Sequence, residues 1–325
     1  MPIYYMPLVT VIIPVYCVQS YIRQCIDSVL GQTYKNLEIL CIDDCGSDAS
    51  ISILRMVAKD DKRVKIIRHS NNLGLGEARN TGIKLASGDY LFFLDSDDWI
   101  RQETIEKLVD AANRYHADII IGSGQAFTDE KCLEVVARNI NRSLFKTFSV
   151  DCLIDLQNFQ IMISELPCVA WGKLFKKEFV IKNRLRFIGN KIYHEDNGFH
   201  VKCMACMPRV TVLPFPGYQY RIRSSSIMDF GRQRNENMQK HMRISIQDAL
   251  DYFDISNIDQ KYCRAVKDVY WKVFCYKRFG ITFYWGSTVK IIKIGRISLL
   301  KQLYEHGRVS LKVFGLKVRN NILLF

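Results

Sequence analysis

The feature that most constrains the fold is an alternation of two hydrophobic periods along the first 125 residues. Short apolar runs rich in β-branched residues are typical of buried strands, whereas apolar residues three or four positions apart indicate helices. Alternating strands and helices favour an α/β fold, in which a mostly parallel sheet is flanked by helices on both faces. The predicted strands are Leu8–Pro14, Leu37–Ile42, Val64–Ile67, Tyr90–Leu94 and Ile119–Ile121. The predicted helices cover 20–30, 48–59 and 75–86, and a fourth carries Ile105, Leu108, Val109 and Ala112.

Polar residues follow three of these strands at the point where each strand ends. They are Pro14–Tyr16, Asp43–Asp44 and Asp95–Asp98. Ligands of parallel α/β sheets bind beyond the carboxyl ends of the strands. The sequence therefore predicts a functional site at this edge of the sheet.

The stretch "YLFFLDSDDW" (Tyr90–Trp99) ends a buried strand in three carboxylates. Two like charges about 4 Å apart repel by about 1 kcal/mol even in water. Asp95-Ser96-Asp97 offers hard oxygen ligands that suit Mg²⁺ or Mn²⁺, which bind through one or two carboxylates and substrate phosphates. The alternative is a solvated loop in which Asp98 caps the next helix. The triplet alone leaves both interpretations open.

Two further stretches carry polar chemistry. In "CIDDCGSDAS" (Cys41–Ser50), Asp44 could accept a hydrogen bond from a base N–H, although the segment also suits a turn followed by a helix cap. In "NNLGLGEARNTG", Gly74-x-Gly76 resembles half of a dinucleotide fingerprint, but Arg79 stands where the third glycine belongs. This disfavours a nicotinamide dehydrogenase. Arg79, near the start of a helix, could instead meet a phosphate or a base.

The stretch "YHEDNGFH" carries an acidic pair, Glu195 and Asp196, a hundred residues beyond the aspartate cluster. Two adjacent acids between apolar residues could supply a general base. An isolated acidic pair is more often ordinary surface, so both interpretations stay open at this point.

The charge of the chain is concentrated at its C-terminal end. The formal net charge is +13, and residues 261–325 hold fourteen Lys and Arg against two acids. This asymmetry predicts an anionic partner for that end. No run is long enough for a transmembrane helix, and no nucleic-acid-binding motif is found. The eleven scattered cysteines, without an export signal, are typical of reduced thiols in a cytoplasmic protein.

Taken together, residues 8–110 resemble the N-terminal domain of family 2 glycosyltransferases, which have the GT-A fold. The resemblance rests on the order and spacing of "VIIPVYC", "CIDDCGSDAS", "NLGLGEARNTG" and "FLDSDDW". The segments "AWGKLFKKEF", "EDNGF" and "YRIRSSSI" are similar to bacterial cell-surface polysaccharide members of the family. The resemblance implies a GT-A catalytic domain over 1–230, with a nucleotide-sugar half at about 1–125 and an acceptor half at about 126–230. A basic, mainly helical region, with helices expected at 235–253 and 261–279, would then cover 231–325.

The resemblance also implies a role for each matching residue. On the donor side, the implied nucleotide-binding set is Pro14, Tyr16, Asp44, Arg79, Asp95, Ser96 and Asp97. Within it, Asp44 would hydrogen-bond a uracil, and Asp95 and Asp97 would bind Mn²⁺ or Mg²⁺. Asp196 would be the catalytic base. The residues implied on the acceptor or diphosphate side are Trp171, Lys173, Glu195, Arg221 and Arg223.

The implied activity is inverting transfer of a hexose or N-acetylhexosamine from a UDP-sugar to a glycan acceptor. The pathway expected for such a member is lipopolysaccharide, lipooligosaccharide or capsule synthesis. Because acceptors of this kind are commonly lipid-linked, the basic end would hold the protein peripherally on the inner face of the cytoplasmic membrane. The alternative is a non-catalytic nucleotide-sugar-binding protein with the same fold. The joint presence of Asp44, Asp95, Asp97 and Asp196 favours the enzyme.

Overall fold

The structure of the chain is a computed structural model that describes residues 6–143, 152–154, 166–224 and 232–267, together with five strands between 281 and 318. The chain divides into two compact units, Met1–Cys263 and Arg264–Phe325. The strands of the first unit are β1 (Val9–Val15), β2 (Leu37–Asp43), β3 (Val64–Arg68), β4 (Tyr90–Phe93), β5 (Trp99–Ile100), β6 (Ile119–Phe127), β7 (Cys152–Ile154), β8 (Lys173–Lys176) and β9 (Val210–Arg221). Its α-helices are α1 (Ile22–Leu30), α2 (Ser50–Asp60), α3 (Leu75–Leu85), α4 (Thr104–Tyr115), α5 (Glu134–Ser143), α6 (Lys177–Lys182), α7 (Glu195–Ala205) and α8 (Arg232–Ile255).

One sheet of nine strands organises the first unit. Its order is β3-β2-β1-β4-β8-β6-β9-β5, and β7 also pairs with β9. The pairs β3–β2, β2–β1 and β1–β4 are parallel, as the strand–helix alternation predicts. Every residue of β1 and β2 is buried, which explains why both strands are almost continuously apolar. The α/β prediction is confirmed.

Close packing brings α3 against the central strand β1. A Cβ atom at Gly82 would lie 2.3 Å from Cγ2 of Ile12, so a larger side chain would force the helix away from the sheet. Gly88, which precedes β4, is similarly tight against the backbone of Leu8 and Thr10. These two glycines let α3 and β4 approach β1, and α3 carries Arg79 to the carboxyl edge of the sheet.

The strand β6 is longer than its sequence predicts. The apolar run Ile119–Ile121 is only its first third, and the strand continues to Phe127 in parallel pairing with β9. Residues 122–125 are Gly-Ser-Gly-Gln, which have low strand propensity. The strand forms there because β9 supplies the backbone partners, with two register shifts near Ser123.

The helix α8 was expected at 235–253 and extends three residues farther at its start and two at its end. Ser245 fastens it to α7, because its hydroxyl accepts from the Gly198 N–H at 3.0 Å and donates to the His194 carbonyl at 2.7 Å. Lys202 and Asp248 add an ion pair of 2.6 Å. The first compact unit therefore continues past residue 230, and a functional boundary at that residue stays a prediction.

The C-terminal residues differ from the expected mainly helical region. A helix covers 260–267, and residues 268–279 of the predicted second helix lie outside the described residues. From Ile281 onward, the structure has an antiparallel sheet in sequential order, made of β10 (Ile281–Trp285), β11 (Val289–Ile294), β12 (Ile297–Glu305), β13 (Arg308–Val313) and β14 (Leu316–Val318).

A period of two explains this difference. Polar and apolar residues alternate in "RVSLKV", and in "VKIIKI" the alternation is interrupted at Ile291–Ile292, next to a register shift. A glycine stands in the sequence between each pair of neighbouring strands. The expectation of a mainly helical region over 231–325 is therefore wrong for the five strands described from Ile281 onward. None of the described helices is both long enough and apolar enough to cross a bilayer.

Candidate active site

The carboxyl ends of β1, β2 and β4 meet at one edge of the sheet. Pro14 is buried within β1, and Tyr16, just past its end, is half exposed. Asp44 directly follows β2, and one residue, Leu94, separates Asp95 from the end of β4. The structure thus brings together the donor-side residues that the sequence predicts to meet.

Asp44 organises the loop that leads into α3. Its carboxylate accepts hydrogen bonds from the backbone N–H groups of Leu73 at 2.7 Å and Gly74 at 2.8 Å. His69 Nδ1 lies 2.8 Å away and must donate, since a carboxylate only accepts. Three of the about four lone-pair directions of the carboxylate are thereby used, and one is left for a ligand. Its role toward a uracil stays a prediction.

The two glycines of the partial fingerprint serve local packing. Gly74 has φ +93°, a conformation that favours glycine. A Cβ atom at Gly76 would lie 2.1 Å from the carbonyl oxygen of Ile188. The turn explains the glycine at position 74, and the close approach of a neighbouring segment explains the glycine at position 76. Neither glycine therefore requires a dinucleotide, as expected if the protein is not a nicotinamide dehydrogenase.

Arg79 is the centre of the site. Its side chain is 2% exposed, and its Nη2 atom lies 2.7 Å from Oδ1 of Asp95. Its Nη1 atom donates to Oε1 of Glu195, which stands 116 residues later in the chain. The guanidinium carbon also lies 5.3 Å from the centroid of the Phe187 ring. One buried cation therefore joins the aspartate cluster after β4 to the acidic pair at the start of α7.

Glu195 and Asp196 occupy the first turn of α7, where the positive end of the helix dipole favours negative charge. Burial raises the pKa of Glu195 to about 7, and the Arg79 charge opposes this rise. Burial also raises the pKa of Asp196, with Arg79 and Lys173 opposing it and Asp95 adding to it. Arg79 therefore limits the rise in pKa at both acids, and Lys173 limits it at Asp196.

Asp95 and Asp97 are each paired with one arginine. Arg79 contacts one oxygen of Asp95, and the Nε atom of Arg223 lies 2.8 Å from Oδ2 of Asp97. Ser96 is buried between them. One oxygen of each carboxylate is not taken by its arginine. Two hard oxygens fit a Mg²⁺ or Mn²⁺ ion that obtains further ligands from a phosphate. No cluster of three or more His, Cys, Asp or Glu within the described ranges forms a metal site by itself.

Asp98 has a role that the sequence did not reveal. Its carboxylate accepts from the Tyr218 hydroxyl at 2.6 Å and from the Arg221 N–H at 2.7 Å. Burial raises its pKa well above the usual range, and the charges of Asp97 and Asp95 add to the rise. Asp98 therefore fixes the aspartate loop to β9 rather than capping α4. No local signal could have found this contact, because its partner lies 120 residues away.

Trp171 is buried between two tyrosines of β9. Its ring stacks on Tyr218 with centroids 4.4 Å apart and on Tyr220 with centroids 5.1 Å apart. Trp171 is only 7% exposed, so it supports the tyrosine that holds Asp98. A direct acceptor contact of Trp171 stays a prediction.

Lys173 is buried at the start of β8. Its Nζ atom donates to the Pro167 carbonyl at 2.5 Å and lies 3.4 Å from Nδ1 of His200 on α7. Burial lowers the pKa of Lys173 to about 8. The lysine thus links the segment before β8 to the helix that carries Asp196.

Arg221 and Arg223 both lie against the aspartate loop. Arg221 donates to the Asp97 carbonyl at 2.9 Å, and its guanidinium lies 4.6 Å from the Phe127 ring centroid. Both arginines lie over the Tyr21 ring, at 5.0 and 5.2 Å. Their position beside the candidate metal ligands suits a diphosphate, which stays a prediction for both residues.

The Tyr218 hydroxyl provides a test of this architecture. The hydroxyl also accepts from the Asp95 N–H at 3.2 Å, so Tyr218→Phe removes a partner from two groups at once. A group left unsatisfied in the interior costs about 1–3 kcal/mol. We expect the free energy of unfolding, measured by urea titration, to fall by about that amount.

Tyr220→Phe is the matched control. Its ring stacks on the same tryptophan, and no hydrogen bond of its hydroxyl is found among the described residues. We expect this variant to keep the free energy of unfolding within about 0.5 kcal/mol. Equal losses in the two variants would contradict the assigned role of Tyr218.

Comparison with known proteins places the fold and the family. The pattern of the family described as "Glycosyl transferase family 2" matches residues 10–182. Glycosyltransferase GlyA of Streptococcus pneumoniae serotype 4 is 36% identical over 222 residues, which are 67% of this chain and 31% of GlyA. The chain therefore spans about a third of the length of that relative.

Solved structures share the fold at low sequence identity. S. aureus TarS 1-349 in complex with UDP-GlcNAc superposes with a TM-score of 0.66 at 22% identity, covering 83% of this chain and 74% of that one. The mannosyltransferase PcManGT from Pyrobaculum calidifontis in complex with GDP-Man and Mn²⁺ has a TM-score of 0.55 at 16% identity, covering 76% and 65%. These likenesses confirm the predicted GT-A fold. Because the family pattern spans more than half of its residues, the chain belongs to glycosyltransferase family 2.

Proposed function

We propose that this protein is an inverting, metal-dependent glycosyltransferase that moves a hexose or N-acetylhexosamine from a UDP-sugar to a glycan acceptor. The observation that carries the proposal is the joint position of Asp95 and of the Glu195–Asp196 pair around Arg79. One half of the site offers ligands for a charged donor, and the other offers a base for an acceptor. A transfer reaction needs both in one place.

The donor would lie along the carboxyl ends of β1, β2 and β4. Pro14 and the half-exposed Tyr16 would line the nucleotide pocket, and the remaining lone pair of Asp44 would accept from a uracil N–H. The UDP-GlcNAc complex of TarS supports a uridine donor. Arg221 and Arg223 lie where they could balance the charge of a diphosphate.

Asp95 and Asp97 would hold Mn²⁺ or Mg²⁺ through the oxygens that their arginines leave available. When bound, the cation would supply charge neutralisation for the departing diphosphate. The Mn²⁺ found with GDP-Man in PcManGT supports such a requirement.

Asp196 would act on the acceptor. Its carboxylate would take the proton of an acceptor hydroxyl, whose oxygen would form a bond to the anomeric carbon as the bond to the diphosphate breaks. A single displacement of this kind inverts the anomeric configuration. Base catalysis contributes about 10²–10⁴-fold to such rates, and alignment of the two substrates supplies much of the rest.

The biological role that we propose is addition of one sugar to a bacterial lipopolysaccharide, lipooligosaccharide or capsule. The family and the bacterial relative GlyA support sugar transfer, and the pathway rests on the resemblance of "AWGKLFKKEF" and "EDNGF" to cell-surface polysaccharide members of the family. A glycan or lipid-linked acceptor is proposed together with it.

A donor screen tests the activity. The purified protein is incubated with each common UDP-sugar and with Mn²⁺, Mg²⁺ or EDTA, and UDP release is measured. We expect metal-dependent release from one donor and a loss of about 10²-fold or more in Asp97→Ala, because the variant removes a ligand of the cation that would balance the charge of the leaving diphosphate.

Asp110→Ala is the control, since Asp110 is an exposed aspartate on α4 outside the site. It should release UDP at the unchanged rate. Calorimetric titration with UDP and Mn²⁺ accompanies the screen. Tight nucleotide binding without release from any donor would leave two interpretations, an enzyme that releases UDP only with its acceptor and the non-catalytic binding protein.

We also propose peripheral association of the basic C-terminal end with the inner face of the cytoplasmic membrane. Each Lys or Arg near an anionic bilayer contributes about 1 kcal/mol, and residues 261–325 carry fourteen. We expect the protein to sediment with phosphatidylglycerol-containing vesicles and to be released as salt shortens the Debye length.

Two comparisons make this measurement decisive. Vesicles of neutral phosphatidylcholine should not retain the protein. A chain truncated after residue 260 should lose binding to the anionic vesicles, and equal sedimentation of the truncated and full chains would contradict the proposal.

A further inference from the structure

Arg79 and Glu195 form a buried pair whose members stand on different sides of the site. Both side chains are almost fully buried, with 2% and 6% exposed. Arg79 belongs to α3, beside the carboxyl ends of the parallel strands, and Glu195 opens α7, which carries Asp196. The pair therefore connects the donor-side and acceptor-side halves through a single guanidinium.

The guanidinium geometry makes this connection specific. Arg79 uses Nη2 for Asp95 and Nη1 for Glu195, so the two carboxylates are held at fixed positions on one planar group. A lysine ammonium is a point charge and cannot reproduce this planar fork. The Nε atom of Arg79 is buried and has no hydrogen-bond partner within the described part of the chain. The two terminal nitrogens of the guanidinium therefore make its polar contacts.

A second set of contacts ties the same two helices together. Asn80, the neighbour of Arg79, donates from Nδ2 to the Phe187 carbonyl at 2.9 Å and accepts from the Phe187 N–H at 2.9 Å. The Phe187 ring stacks on Phe199 of α7 with centroids 3.9 Å apart. A displacement of α7 is therefore opposed by packing as well as by charge.

The burial of Glu195 argues against a role of this residue as a catalytic base in addition to Asp196. The carboxylate is 6% exposed on its side chain, and one of its oxygens is engaged by Arg79. An acceptor hydroxyl would have to displace a buried ion pair to reach it, and breaking such a pair is strongly unfavourable. The neighbouring Asp196 is more exposed than Glu195, which fits contact with a substrate.

We propose that Glu195 is a positioning residue that, through Arg79, couples the orientation of the donor-side carboxylate Asp95 to that of the helix that carries Asp196. This inference rests on the proposed glycosyltransferase function. Coupling between two binding sites is reciprocal, so binding of the acceptor must alter donor affinity by the same factor as binding of the donor alters acceptor affinity. Glu195 would thus influence donor affinity without touching the donor.

Nucleotide affinity tests the coupling. The full chain and its variants Glu195→Gln, Arg79→Lys and the double variant are titrated calorimetrically with UDP in the presence of Mn²⁺. Glu195→Gln keeps the size of the side chain and removes its charge. We expect a loss in UDP affinity of at least about fivefold, the lower end of typical coupling between sites.

The double variant separates a coupled pair from two independent residues. If Arg79 and Glu195 act as a unit, the double variant should lose less affinity than the product of the two single losses. In the donor-release assay, the donor KM should rise in Glu195→Gln, whereas a residue that acts only on the acceptor would lower kcat alone.

Asp248→Asn is the matched control. Like Glu195→Gln, it neutralises a carboxylate that is paired with a buried cation. Asp248 of α8 pairs with Lys202 of α7 at 2.6 Å. We expect unchanged UDP affinity in this variant, even if its melting temperature falls. A general weakening of the attachment of α7 would reduce affinity in both variants.

The outcomes distinguish this inference from the proposed function. Unchanged UDP affinity in Glu195→Gln, or equal losses in Glu195→Gln and Asp248→Asn, would overturn the coupling alone. A failure of the unaltered protein to bind any nucleotide with Mn²⁺ or Mg²⁺ would overturn the proposed function and the coupling with it.

Discussion

The candidate site depends on one buried positive charge among several carboxylates. A guanidinium as buried as that of Arg79 would be strongly destabilising without partners, because desolvation of an isolated charge costs several kcal/mol. Asp95 and Glu195 supply these partners, and Arg79 in turn counters the repulsion among acids that would otherwise favour their protonation. The interaction therefore stabilises the cluster and sets its electrostatics at the same time.

The fold places these charged residues together because strands and helices of the first unit pack closely against one another. Parallel strands place Asp44 and Asp95 at one edge, and the glycine contacts of α3 with β1 place Arg79 beside them. On the other flank, the Tyr218 hydroxyl and Trp171 hold Asp98, which fixes the loop that carries Asp95 and Asp97. The site is thus built on parallel strand ends and the α3–β1 contact on one flank, and on β9 and its partners on the other.

Sequence reasoning succeeded where the signal is local. Most strands and helices of the first 125 residues follow from periodicity, and the position of Asp44 and Asp95 at one edge of the sheet follows from polar residues after the predicted strands. It could not reveal the Arg79–Glu195 pair or the Asp98–Tyr218 bond, because each joins residues more than a hundred positions apart. It stopped β6 at Ile121, since only pairing with β9 explains a strand through Gly-Ser-Gly. It also predicted a mainly helical region over 231–325, which includes residues that form five strands from Ile281 onward.

The central claim is that donor binding and proton removal are assigned to different carboxylates of one cluster. Asp196→Asn tests it most directly, because asparagine matches the shape of aspartate and cannot act as a base at neutral pH. Calorimetric UDP affinity with Mn²⁺ and the rate of UDP release from the preferred UDP-sugar are measured on the same preparation. The account predicts an affinity within about threefold of the unaltered protein and a release rate lower by about 10²–10⁴-fold. Retention of the release rate would contradict it.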